Sequence, residues 1–320
     1  MIRVALLSNV KSHRVRRLLD SVQAVARCYP PIRHARFEDF AALPDLLRDA
    51  AQHPTDVLAV FGGDGTVQGV LTELLTNNPF PEVPPIMVLS GGMTNMTARD
   101  VGPQGRPADA VDRLMRQAGG RETLAGFTVR RHVLRVASPQ GSPVQYGMYF
   151  GTAAVVRAIQ LCHSNVHSIG LEAGCANAAT LAGTVFEWIF RRRSSTLFES
   201  DPITLSVPGE PAWSGQRLVV SITTLERLVL GARPFWNDVD GPVRMTVVDY
   251  PPQRFLRAIP RVLYGWPDRR LPAETYHSRG VSGVSLQMTC PFTVDGQLFE
   301  TDPAVPLDIS DGGVVRFIKV

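Results

Sequence analysis

The stretch Val57-Leu58-Ala59-Val60-Phe61-Gly62-Gly63-Asp64-Gly65-Thr66 constrains this chain more than any other. An unbroken apolar run ends in three glycines, one carboxylate and one hydroxyl. Directly after it, Val67, Val70, Leu71, Leu74 and Leu75 recur at helical spacing and place one apolar stripe on a helix. The pattern predicts a buried strand, a tight glycine turn and a helix. Such a turn aims free backbone N–H groups and the positive end of a helix dipole at one spot, which suits an anion. Glycine lets the backbone approach a phosphate with no Cβ in the way. Asp64 does not hold an anion by itself. Beside phosphates, a carboxylate organises a divalent cation or takes a proton from an attacking hydroxyl.

Two familiar phosphate loops are excluded. No lysine follows the turn, as G-x-x-x-x-G-K-S/T requires. Gln68 stands where the last glycine of G-x-G-x-x-G would fall, counted from Gly63. The alternative is an ordinary strand-to-helix turn, but so many glycines around one carboxylate make poor turn chemistry unless a close approach is needed.

On these residues, Gly62-Gly63-Asp64-Gly65-Thr66 resembles the GGDGT signature of the diacylglycerol kinase catalytic domain family, which includes bacterial lipid kinases, sphingosine kinases and ceramide kinases. NAD kinases and phosphofructokinases share the signature more distantly. The resemblance implies nucleotide phosphates at residues 62–66 and phosphoryl transfer, and it leaves the acceptor open.

Composition narrows the partners. A chain of 320 residues, 44% hydrophobic and 19% charged, is globular and long enough for two domains. The net charge is +4, carried almost wholly by arginine; Lys11 and Lys319 are the lysines. This balance fits a nucleotide or an acidic membrane surface and is too small and scattered for nucleic acid. Cys28, Cys162, Cys175 and Cys290 form no C-x-x-C pair and read as reduced thiols of a cytoplasmic protein. The start of the chain is too short in apolar residues for a secretory signal. No run approaches the roughly 20 apolar residues that span a bilayer, so membrane contact would be peripheral, on the inner membrane face.

Along the chain, residues 4–7 read as a strand and 15–26 as a helix. Between them Asn9 and Ser12 match an N-P-x-S-G loop that touches nucleotide in the resembling family, with Val10 and His13 in place of proline and glycine. The plain reading is a strand, a loop and a helix capped by Ser12. A strand over 32–37, a helix over 40–51 and a strand over 86–89 follow. The last runs into Gly91-Gly92-Met93-Thr94-Asn95 and a helix that stops at Gly102-Pro103. Alternating strands and helices predict an α/β doubly wound parallel sheet over residues 1–127, with ligands beyond the carboxyl ends of the strands. Both glycine loops lie at that edge.

Gly92, Asn95, Ala98, Arg99 and Gly102 extend the resemblance, aligning with the family's G-T-G-N-D-F-A-R-x-L-G. Met93 replaces a nucleotide-contacting threonine, and Met96 an aspartate tied to magnesium in some relatives. The chain is a divergent member by this measure. The nucleotide site implied by the resemblance comprises Asn9, Gly62, Gly63, Asp64, Gly65, Thr66, Gly92, Thr94 and Asn95.

Beyond residue 127 strands dominate: 128–137, 145–149, 217–223, 243–248, 284–289 and 314–320. Val284, Leu286 and Met288 alternate with polar residues, as in a half-buried strand. A second, mainly β domain over 128–310 is expected. In the resembling family it is a β-sandwich carrying the lipid site, and residues 311–320 return to the first domain. An apolar, helix-like insertion over 151–193 ends in Arg191-Arg192-Arg193, which suits a membrane interface or, equally, a core helix with a basic last turn. Cys162, His163, His167 and Cys175 fit no standard zinc spacing.

Two acidic sites remain. Asp295-Gly296 is a favoured two-residue hairpin turn. The family has Asp-Gly-Glu here, with the glutamate a catalytic base in some members, but Gln297 replaces it and glutamine is no proton acceptor. Asp64 is the first candidate for base or metal organiser, Asp295 the second, and Glu300 could substitute. Asp238 and Asp240 resemble a magnesium-associated D-D-G segment or form a plain turn. The resemblance therefore implies an ATP-dependent, Mg²⁺-requiring lipid kinase. Its acceptor is the primary hydroxyl of ceramide or diacylglycerol, with ceramide favoured by the T-N-M form of the second loop. The alternatives are a soluble kinase of the NAD kinase type and a non-catalytic protein that binds nucleotide and lipid. A homodimer is left open.

Overall fold

The computed structural model describes residues 1–138, 143–168, 198–236, 241–265 and 271–320. They form two compact units, Met1–Val133 with Gly313–Val320, and Leu134–Gly312.

The first unit is a parallel sheet with helices. Strands β1 (Val4–Asn9), β2 (Ile32–Phe37), β3 (Val57–Gly62) and β4 (Ile86–Ser90) lie in the order β2-β1-β3-β4, all parallel. Every residue of β1 and β3 is buried, as a strand covered on both faces must be. Val4, Leu6, Val57, Ala59, Phe61, Met87 and Leu89 face one core together with helices α1 (His13–Cys28) and α5 (Pro107–Gln117). The alternate residues Ala5, Leu7, Leu58, Val60 and Val88 are equally buried. The expected doubly wound sheet is therefore present. Phe317, near the end of the chain, joins it in parallel beside Ile86.

The helix expected over residues 40–51 is divided. A short 3-10 turn, Phe40–Ala42, is capped by Asp39 through the Ala41 N–H, and α2 (Leu43–Gln52) begins where Pro44 can take the first helical turn. Helix α3 (Asp64–Asn77) buries more than its apolar stripe: Asp64, Thr66 and Gln68 are buried too. A Cβ on Gly69 would come within 2.8 Å of the Phe40 ring, so that glycine lets the 3-10 turn lie against α3. Helices α4 (Met96–Val101) and α6 (Arg121–Gly126) complete the unit.

One histidine of this sheet makes its stability depend on pH. Ser8 Oγ lies 2.8 Å from His34 Nε2. Burial, helped by the charge of Arg36, holds the His34 imidazole below its ordinary pKa. The unfolded chain thus takes up a proton that the folded chain resists. The stabilisation is complete above the ordinary value of 6.5 and is lost as pH falls through it toward the folded value. Thermal unfolding is expected at lower temperature at about pH 5.5 than at about pH 7.5, with a smaller difference in His34→Gln. Equal pH dependence in the two proteins would rule this out.

The second unit is antiparallel and strand-rich. Strands β5 (Thr128–Ala137, shared at the unit boundary), β6 (Gln145–Gly147), β7 (Tyr149–Ala153), β8 (Asp201–Ser206), β9 (Trp213–Thr223), β10 (Val243–Asp249), β11 (Tyr276–Val281), β12 (Gly283–Met288), β13 (Phe292–Val294), β14 (Gln297–Phe299) and β15 (Leu307–Ile318, whose residues from Gly313 on belong to the first unit) contribute. The sequence β14-β13-β7-β9-β8-β12-β15 runs through it, and β10 and β11 extend from β9. Val284, Leu286 and Met288 all point into the core, as their alternation predicts. The strand expected over 145–149 breaks at Met148, whose N–H is drawn out of the ladder by the Asp295 carboxylate at 2.9 Å. Helices α7 (Ala154–Ser168) and α8 (Phe255–Tyr264) also belong to this unit. Residues 169–193 of the expected apolar insertion lie outside the described residues, as do Cys175, Asp238 and Asp240 and the side chains of Cys162, His163 and His167. No helix among the described residues is long and apolar enough to cross a membrane.

Candidate active site

In the first unit, β1, β3 and β4 end side by side, and the loops leaving them hold one another. The Gly91 N–H donates to Gly62 O at 2.8 Å. A Cβ on Gly92 would sit 2.5 Å from Gly63 Cα, and one on Gly91 would sit 3.0 Å from Gly62 Cα. The two glycine turns thus touch backbone to backbone. Sequence reasoning assigned these glycines to close approach of a phosphate. Here the approach they permit is first of all that of one loop to the other.

Asp64 ties the pair together. Its side chain is 5% exposed. One carboxylate oxygen accepts from Thr94 Oγ1 at 2.6 Å and from the Met96 N–H at 3.1 Å, and the other from the Thr97 N–H at 2.9 Å. The two N–H groups open α4, so a carboxylate from the start of α3 caps the start of α4. Three of a carboxylate's roughly four acceptor positions are thereby occupied. The grip on residues 96 and 97 was invisible to motif reasoning, because backbone N–H groups leave no mark in a sequence.

The other expected nucleotide residues are drawn into the same scaffold. Asn95, at φ +49°, folds over its own turn: its side chain accepts from the Gly92 N–H and donates to Gly92 O, each at 2.7 Å. Asn9 Nδ2 donates to Thr66 Oγ1 at 2.9 Å, and Asn9 Oδ1 accepts from the Lys11 N–H at 3.0 Å. The Ser12 hydroxyl donates to Gly91 O and does not cap α1, contrary to the plain reading. Met93 is 46% exposed and Met96 is buried.

An anion has one clear place here. Helix α3 starts at Asp64 with no side-chain cap on Gly63. The Thr66 and Val67 N–H groups both turn back to Gly63 O, at 2.9 and 3.1 Å. The N–H groups of Asp64 and Gly65 precede any intrahelical partner by geometry. Helix α1 also starts without a side-chain cap. Two helix dipoles therefore end beside the paired glycine turns at the carboxyl edge of the sheet, where α/β folds bind ligands.

In the second unit, Asp295 is 2% exposed. Its carboxylate accepts from the Met148 and Tyr149 N–H groups, each at 2.9 Å, and its own N–H donates to Tyr149 O. Asp295 and Gly296, at φ +48° and +85°, form the two-residue turn between β13 and β14 that the Asp-Gly pair predicts. Burial, reinforced by the Asp295 charge, pushes the Tyr149 phenol up. Gln297 and Glu300 are exposed. No cluster of three or more histidine, cysteine or acidic side chains suited to a metal occurs among the described residues.

Residues 3–123, which contain the paired glycine loops, match the family model of the diacylglycerol kinase catalytic domain. The chain is similar to the solved structure of a diacylglycerol kinase from Bacillus anthracis str. Sterne, at 15% identity over 99% of this chain and 97% of that one, with a TM-score of 0.63. Two further structures from the same organism match over the same shares at 16% identity, with TM-scores of 0.65 and 0.66. No curated protein matches the chain. Residues 3–123 thus carry a diacylglycerol-kinase-like catalytic domain, which suggests a lipid kinase. At these identities, the likeness to solved structures speaks to the fold alone.

Proposed function

We propose that the protein is an ATP-dependent lipid kinase that phosphorylates the primary hydroxyl of ceramide or diacylglycerol at a membrane surface, the inner face of the cytoplasmic membrane. The observation that carries this reading is the uncapped start of α3, set against two glycine turns in backbone contact. The Asp64 and Gly65 N–H groups would receive the nucleotide phosphates, and the start of α1 adds a second positive dipole end. In the transfer, the lipid hydroxyl oxygen bonds to the γ-phosphorus and the bond from that phosphorus to the bridging oxygen breaks, releasing ADP. The hydroxyl proton goes to a carboxylate, Asp64 first and Asp295 second. Such a reaction rests mainly on positioning and charge. Magnesium would neutralise the phosphates; Asp64 keeps about one acceptor position, which would serve either the proton or the ion, and Asp238 and Asp240 are further candidates for the ion.

A second reading, a protein that binds nucleotide and lipid without turnover, is favoured by Gln297, exposed at the position of the family's glutamate. Transfer of labelled γ-phosphate from ATP separates the two. The assay offers ceramide, diacylglycerol and sphingosine in micelles, NAD in solution, and no acceptor. Transfer to ceramide or diacylglycerol is expected. Nucleotide binding with no transfer to any acceptor would establish the second reading, and transfer to NAD alone would refute both.

A further inference from the structure

We infer that helix α8 and the 3-10 turn at Val229–Gly231 form a face that docks on an anionic lipid bilayer. This rests on the proposed action on a membrane lipid and names a part of the second unit that would meet the membrane.

Helix α8 has two different sides. Phe255, Ala258 and Val262 pack into a small core with Leu218, Val248 and Tyr276. Arg257, Leu263 and Tyr264 lie on the other side, three or four residues from Pro260. Leu263 and Tyr264 are 39% and 43% exposed, and Leu230, on the neighbouring turn, is 40% exposed. The Arg233 N–H donates to Leu263 O at 2.6 Å, which fixes the segment after the turn against the end of the helix. Arg227, Arg233, Arg254 and Arg257 are all exposed. Across residues 226–236 and 254–265 Glu226 is the sole carboxylate, and it is half-buried.

Charge selects the occupant. A second copy of the chain meeting this face symmetrically would set arginine against arginine. Anionic headgroups would match the arginines, the leucines would enter the acyl boundary, and tyrosine favours the level between. The arginine stems allow the charges to reach headgroups while their aliphatic carbons stay below.

The test is co-sedimentation with vesicles of phosphatidylcholine alone, or of phosphatidylcholine with about one third phosphatidylglycerol. Binding to the anionic vesicles, weakened by salt, is expected. One basic side chain near an anionic surface is worth about a fivefold change in partitioning, so the triple variant Arg227→Gln, Arg233→Gln, Arg257→Gln should bind about a hundredfold less. Leu230→Gln with Leu263→Gln should lower binding about tenfold. Because these side chains are exposed, thermal unfolding and nucleotide binding should not move in either variant. Vesicle binding unchanged in both variants, equal binding to neutral vesicles, or no vesicle binding at all would overturn the inference. So would capture by an acidic protein surface in place of vesicles. Vesicle binding needs neither nucleotide nor turnover. A chain that docks through this face but phosphorylates nothing refutes the kinase reading alone; an active kinase whose docking ignores these substitutions refutes the face alone.

Discussion

Asp64→Asn is expected to abolish phosphoryl transfer and to lower the unfolding free energy by about 3 kcal/mol. Three donors converge on the carboxylate, two of them backbone N–H groups at the start of α4. Asparagine supplies one oxygen for two faces of the contact, and its amide N–H groups would point at an N–H of the loop. A buried donor left without a partner costs about 1–3 kcal/mol, and the charge-assisted bonds replaced here are the stronger kind. Denaturant unfolding beside the transfer assay distinguishes two roles. If transfer disappears and stability stays at the wild-type value, the carboxylate serves the reactants and its bracing is incidental. If stability falls and nucleotide affinity falls with it, the brace is what the site depends on. Wild-type behaviour in both would refute the arrangement described.

Gly92→Ala should be nearly as damaging to activity. The added Cβ would lie 2.5 Å from Gly63 Cα, which is backbone and cannot swing aside, and 3.3 Å from Asn95 Oδ1. Relief requires the two turns to part by several tenths of an ångström. Overpacking of this kind costs about 1–3 kcal/mol. The larger effect falls on positioning: a displacement approaching 1 Å at a reacting site costs about a hundredfold in rate. Steady-state turnover and nucleotide affinity of the alanine variant measure it. Turnover within about threefold of wild type would mean that the loops tolerate separation and that the close contact is incidental.

How much of this was legible in the sequence depends on which atoms do the work. The parallel sheet was readable because unbroken apolar runs such as residues 57–61 leave few alternatives to a strand covered on both faces. The Asp295-Gly296 hairpin was readable because its turn chemistry is local. Helices α5 and α8 and strands β8 and β11 were not anticipated; the strands are only six residues each, but Val111, Leu114 and Met115 in α5 and Phe255, Ala258 and Val262 in α8 do recur at helical spacing, a signal that was there to be read. At the glycine loops, the sequence located the residues but not their bonds. Asn9, Thr66, Asn95 and Asp64 each bond to other parts of the loops. A motif names side chains, whereas three of these four bonds end on the main chain.

That last point bears on how such a loop can drift. Asp64 grips residues 96 and 97 through their N–H groups, which every amino acid but proline provides. The grip itself therefore does not depend on which side chains stand there, although both are buried and must still fit their surroundings. Methionine at position 96 leaves that grip intact. A substitution that fits the buried space at these two positions keeps the bracing of the turn. The same freedom does not extend to position 64, or to the glycines whose contact has no room for any other residue.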